Sequence, residues 1–163
     1  MSPSPSEFSA SKGAIDRAGD EMREWWDMLA VDSDGELEPP SPAALELLVD
    51  FRAEFQAPMK KVTVGLRQFV SRECATPITV GQRLKRGPQI VYKLSRHPGM
   101  RLSRMQDVGG CRAILQGGAD EVRRVAERIE RNWTIKHSKH YTLEAPAPSG
   151  YRALHVVVDE TSG

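Results

Sequence analysis

Arg83 and Lys85 stand two residues apart in "TPITVGQRLKR", and Lys93 and Arg96 follow at an i, i+3 spacing in "PQIVYKLSRH". Residues two apart on a strand leave the same face, so the first pair could clamp one polyphosphate; the second pair shares one face of a helix. A solvated strand edge with snorkelling stems would use the same residue types. Asp107 adds a different chemistry. A carboxylate at a strand margin, facing cations, can hold Mg²⁺, which favours one or two protein carboxylates and completes its octahedron with phosphate oxygens and water. A turn aspartate or helix cap is the ordinary alternative. Gly109 and Gly110, just behind it, favour the ligand reading, because a strand without side chains lets a ligand or backbone come close.

A second candidate surface lies in "SKHYTLEAPAPSGYRALHVVV", residues 138–158. Gly150 permits a turn, the ring of Tyr151 offers a flat apolar platform, and His155 adds a hydrogen-bonding group on the strand that follows. His137, His140 and His155 make a weak zinc signal: no cysteine accompanies "HSKH", and the third ligand would come from a distant strand.

The elements that must position these groups can be read from periodicity. After a Ser/Pro leader over residues 1–10, Ile15, Ala18, Met22, Trp25 and Leu29 line one face of a helix over 11–29. Ser41 and Pro42 start a second helix, the hydroxyl capping free N–H groups and the proline having none to lose. Its stripe of Ala44, Leu48, Phe51, Phe55, Met59, Val62, Leu66 and Phe69 continues across Pro58, where a kink or break is expected. Strand and helix then alternate. A strand is expected from about Ile78, a helix in "PQIVYKLSRH" and a strand in "VGGCRAILQ". An amphipathic helix follows in "ADEVRRVAERIERNW", then a strand or irregular edge in "TIKHSKHYTL" and a strand in "ALHVVVDE". This order predicts an α/β (α+β) fold: a mixed sheet flanked by helices, with two N-terminal helices packed on it. The expected organisation is a leader (1–10), a helical segment (11–76) and a core (77–163).

Composition limits the alternatives. A chain of 163 residues with 39% apolar content suits one domain with a real core. No apolar run reaches membrane-spanning length, and the N-terminus lacks the basic start and hydrophobic middle of a secretory signal, so the reading is a soluble cytoplasmic protein without membrane partners. Cys74 and Cys111 show no CxxC spacing and read as reduced thiols. The net charge of +1 hides an asymmetry: residues 1–40 hold 3 Lys and Arg against 10 Asp and Glu, whereas residues 81–140 hold 14 against 5. A basic block of this kind suits a polyanionic ligand, nucleotide phosphate or nucleic acid, as well as a solvated face.

In order, "GQRLKR", "QIVYKLSR", "DVGGCRAIL" and "KHYTLEAPAPSGYRALHVVV" resemble the synthetase domain of the RelA/SpoT alarmone synthetases. That pattern runs Arg-x-Lys, a helix with Lys and Arg, Asp-x-x-Gly-x-Arg and a Gly-Tyr turn ending in Leu-His. "SKGAIDRAG" is similar to the leading helix of small single-domain members. The resemblance covers about residues 11–159 and implies a nucleotidyltransferase-like core. It implies that Arg83, Lys85, Lys93, Arg96 and Arg112 bind ATP, that Asp107 holds Mg²⁺, and that Lys139, Gly150, Tyr151, Arg152 and His155 form the acceptor side. The reaction it implies moves the β,γ-pyrophosphate of ATP to the 3′-hydroxyl of GDP or GTP.

Two departures bear on that expectation. Ala147 stands where many members have a lysine that grips the 5′-phosphates of a guanine nucleotide. Toxic relatives modify the 3′-terminal adenosine of tRNA instead, which would make tRNA the acceptor and an antitoxin a partner. The family's Glu-x-Gln-x-Arg strand is also expected after "DETSG", where the sequence stops, so these residues alone are expected to be poorly active. Related small synthetases often assemble, and Trp25 and Trp26 suit either a homo-oligomer interface or core packing.

Overall fold

The computed structural model describes residues 9–31, 37–74, 79–141 and 145–159, which fall into two compact units interleaved along the chain. One gathers residues of 2–56 and 84–109, the other residues of 57–83 and 110–163. Helices α1 (Lys12–Val31), α2 (Pro42–Ala53), α3 (Gln56–Glu73), α4 (Gly87–Arg96) and α5 (Ala119–Asn132) accompany strands β1 (Thr79–Leu84), β2 (Gly109–Ile114), β3 (Thr134–Tyr141) and β4 (Ala153–Asp159). The α+β class expected from the sequence holds. The strands differ from the single mixed sheet: β1 pairs with β2, and β3 pairs antiparallel with β4, as two two-stranded sheets. Alternation identifies a strand, but the choice of neighbour depends on contacts remote in sequence.

The first unit is built around one apolar cluster. Ile15, Ala18 and Met22 of α1 meet Ala44, Leu48 and Phe51 of α2, and Ile90, Val91 and Leu94 of α4 close over them. The periodic positions read from the sequence are the buried ones in α2 and in the first half of α1, because each helix buries a single apolar stripe; toward the end of α1 Trp25 is half-buried and Leu29 exposed, since the cluster does not reach the last turn. Ser41 caps α2 as expected, its Oγ accepting from the Ala44 N–H at 3.2 Å. The break near Pro58 falls at Glu54 and Phe55, between α2 and α3. A proline ring clashes with the carbonyl four residues earlier, here that of Glu54, so the helix stops ahead of Pro58 and restarts with Pro58 in its first turn.

A turn invisible to periodicity completes this unit. Leu102–Arg104 forms a 3₁₀ turn, with Leu102 and Met105 buried in the cluster. α1 latches the preceding segment: Arg23 Nη1 donates to the carbonyl of Pro98 at 3.0 Å, and Asp16 Oδ1 accepts from the Ser103 N–H at 2.9 Å. Asp20 accepts from both Arg23 and Arg101. The acidic side of α1 therefore does local work on the loop that leads to Asp107. Trp26 packs against the cluster, consistent with the core-packing alternative.

In the second unit, α3 and α5 supply the buried Met59, Val62, Leu66, Phe69, Val70, Val125, Ala126 and Ile129. Phe69 lies on Trp133 with ring centroids 4.8 Å apart, and Gly65 makes room: a Cβ there would sit 2.5 Å from the indole. Thr63 donates to the Met59 carbonyl and shares short contacts with Gln82 of β1 and Cys111 of β2. Burial pushes the Cys111 thiol up despite the opposing effect of Thr63. Cys74 is also raised, first by burial and then by Glu121. Both thiols are free, and neither has the thiolate character of a nucleophile. No helix among the described residues is long and apolar enough to cross a membrane.

Candidate active site

Lys85 follows directly on β1, and its backbone is fixed from two sides. Its N–H donates to the Val108 carbonyl at 2.7 Å, and its carbonyl accepts from Arg52 Nε at 2.9 Å. Helix α4 buries Ile90, Val91 and Leu94 and turns Gln89, Tyr92, Lys93 and Arg96 toward an open cleft. Asp107 stands between the buried Met105 and Val108, so the chain on either side is anchored while the carboxylate faces out.

These residues meet. Lys85 Nζ lies 2.8 Å from Asp107 Oδ2 and Lys93 Nζ 2.7 Å from Oδ1, one ammonium on each carboxylate oxygen. Lys85, Gln89, Tyr92, Lys93, Arg96, His97 and Asp107 line a cleft of about 540 Å³, large enough for a nucleotide-sized ligand. The aspartate side chain remains 48% exposed, against 20% for Lys85 and 28% for Lys93. Arg96 leans on Tyr92: Nη1 donates to the phenol oxygen at 3.2 Å, and the guanidinium carbon is 5.8 Å from the ring centroid.

Burial pushes the Asp107 carboxyl up, but the hydrogen bonds and charges of Lys85 and Lys93 outweigh it and hold the group below the usual carboxylate range. Such a carboxyl stabilises the fold above its unfolded value, about pH 3.9, and that contribution is lost as pH falls through the folded value. The Tm of the wild type should exceed that of Asp107→Asn by the largest margin above about pH 4. The margin should close in stronger acid. A pair half in solvent contributes about 1 kcal/mol or less. A margin that widens on acidification would show that the lysines do not hold the carboxylate.

The remaining candidates belong to the second unit. Arg83 on β1 and Arg112 on β2 are exposed, and the space above Gly110 is open. On the β3–β4 hairpin, Lys139 sits directly opposite His155. Tyr151 precedes β4, 46% exposed, with its ring centroid 5.7 Å from that of His155. Arg152, next to it, is exposed. The turn is set by Gly150, whose φ of 77° is one that residues with a Cβ rarely adopt, and by the Ala147 N–H donating to the Tyr151 carbonyl. The register places His137 and His155 on one face and His140, opposite Leu154, on the other. Among the described residues no three His, Cys, Asp or Glu side chains gather as a metal site.

Sequence reasoning found Lys85, Lys93, Arg96 and Asp107 but missed four residues around them. Gln89, Tyr92 and His97 line the cleft, and Arg52 fixes the backbone of Lys85. Tyr92 lies one helical turn before Arg96, a spacing that could have flagged it. Arg52 gave no signal, since its partner carbonyl is 33 residues away.

The described residues thus set two lysines around one carboxylate in an open cleft of an α+β chain. The family model for the region found in RelA / SpoT proteins matches residues 82–163, half of the chain and every candidate site residue. The chain belongs to the RelA/SpoT family, and with it to the pyrophosphokinase-like transferases of alarmone synthesis. No curated protein matches it.

Proposed function

We propose that this protein is a Mg²⁺-dependent pyrophosphotransferase that moves the β,γ-pyrophosphate of ATP to the 3′-hydroxyl of GDP or GTP, making (p)ppGpp. The observation that carries the reading is Asp107 held between Lys85 and Lys93 in an open cleft. In the reaction the 3′-oxygen bonds to the β-phosphorus, the bond from that phosphorus to the α-bridging oxygen breaks, AMP leaves and the hydroxyl proton is released. Negative charge is present throughout, so catalysis rests on alignment and on fixed positive charge. Lys85, Lys93 and Arg96 receive the donor phosphates, with Arg83 and Arg112 as further donor-side cations. On the acceptor side, Tyr151 stacks on the base, while Lys139, Arg152 and His155 orient the phosphates and ribose.

The donor set suits Mg²⁺ better than a resident zinc. One carboxylate with phosphate oxygens is an ordinary magnesium arrangement, and Asp107 is the residue that would hold the ion. Held there, the ion would supply positive charge against the phosphate oxygens. Each oxygen of Asp107 meets one ammonium group, and lysines that turned toward phosphate would free the carboxylate to hold the ion.

A second reading rests on Ala147. It has no charge to grip a 5′-phosphate, and its backbone is already used in the turn. The 3′-terminal adenosine of tRNA carries a 5′-diester with less charge to neutralise, which would make the protein a translation-blocking toxin with an antitoxin partner. Incubation with γ-labelled ATP, Mg²⁺ and either GDP, GTP or bulk tRNA separates the readings. Label in guanosine tetra- or pentaphosphate is the expected result. Label in tRNA would move the assignment to the toxin, and label in neither would leave a nucleotide- or RNA-binding module.

A further inference from the structure

The three cations of the cleft are not held in the same way. Lys85 and Lys93 share the carboxylate of Asp107, whose negative charge offsets part of theirs. Arg96 has an uncharged support instead, the hydroxyl and ring of Tyr92 one turn earlier on α4. An aromatic ring attracts a cation without neutralising it. Only one of the guanidinium donors is spent on the phenol oxygen, so the rest of the planar fork keeps its capacity for bidentate phosphate binding. Arg96 is the last residue of α4 and is exposed, a position where a long side chain otherwise samples many rotamers.

Tyr92 is itself placed by α1. The residue is 49% exposed, yet its ring meets that of Trp26 edge-on with centroids 6.2 Å apart at 62°. Trp26 in turn packs against the apolar cluster of the unit. The adjoining residue pair fixes the same approach: Ser95 of α4 donates to the carboxylate of Asp27 on α1. The ring is thus pinned on its α1 side and supports Arg96 on α4.

We propose that Tyr92 is a positioning residue: it holds Arg96 in the orientation that receives the donor polyphosphate, and α1 sets Tyr92 through Trp26. The proposal rests on the reading of this cleft as a polyphosphate site. Its test is a double-mutant cycle read by calorimetric titration with inorganic tripolyphosphate, using wild type, Tyr92→Leu, Arg96→Ala and the double variant. Tyr92→Leu should weaken tripolyphosphate binding about fivefold, the scale of an exposed cation–π contact with its hydrogen bond. In the Arg96→Ala background the same change should cost less than about twofold, because the residue it acts through is gone. Tyr92→Phe, which keeps the ring, should stay within about twofold of wild type. Equal losses in both backgrounds would overturn the proposal while the polyphosphate site stands. A wild-type protein that binds no tripolyphosphate would overturn both.

Discussion

Asp107→Asn should reduce pyrophosphate transfer about a thousandfold, the scale on which removing one electrostatic stabiliser of a transition state acts. It should leave Mg²⁺-free binding of tripolyphosphate intact or tighter. Asparagine keeps the shape of the side chain and removes its charge, the one negative charge among the residues that line the cleft. A metal held by that carboxylate, as proposed, would then be lost, and with it the neutralisation of the phosphate oxygens. Lys85 and Lys93 are relieved of their shared counter-ion and become more available to a free anion. Initial rates with labelled ATP and calorimetry with tripolyphosphate read the two effects separately. Undiminished transfer would remove the metal role of Asp107. Loss of both transfer and metal-free binding would instead make the aspartate the anchor that gathers the lysines.

That distinction shows how far the linear pattern could be read. The spacing of Lys93 and Arg96 already implied a shared helical face, and the buried positions of α4 confirm it, because a helix with one apolar stripe has only one other face to offer. Asp107 was expected to face the cations by chemical type, but its pairing with Lys85 was not legible. Their contact bridges 22 residues. It is made by the backbone bond from Lys85 to Val108 and by the burial of Met105 and Val108, neither of which leaves a periodic trace.

The same limit explains the sheets and the division into units. Each strand was legible as an alternating or β-branched run, yet the separation into β1–β2 and β3–β4 was not, since strand partners are chosen by packing. The sequence suggested helices first and sheet after. In the structure α4 packs with α1 and α2, so the helical segment and part of the later chain share one core. Arg52 and Arg23 act on carbonyls, which any residue carries, so their partners could not be inferred from side-chain types.

On the hairpin, Tyr151→Ala should raise the acceptor KM between about fivefold and 150-fold, since stacking of a base on an aromatic ring contributes about 1–3 kcal/mol. Tripolyphosphate binding should not change, because Tyr151 belongs to the second unit and does not line the lysine cleft. The ring is held in place by features that survive the substitution: Gly150 in its left-handed conformation, the Ala147 to Tyr151 backbone bond, and a hairpin register that sets His155 opposite Lys139. Alanine removes the platform without disturbing the turn. Steady-state kinetics with GDP or GTP varied at saturating ATP would show the change in KM with a much smaller change in kcat. Phenylalanine at 151 should restore the acceptor KM, because the stacking surface and not the hydroxyl carries the contact. An unchanged KM in the alanine variant would move base recognition off this ring, and failure of phenylalanine to rescue would transfer the contact to the phenol oxygen.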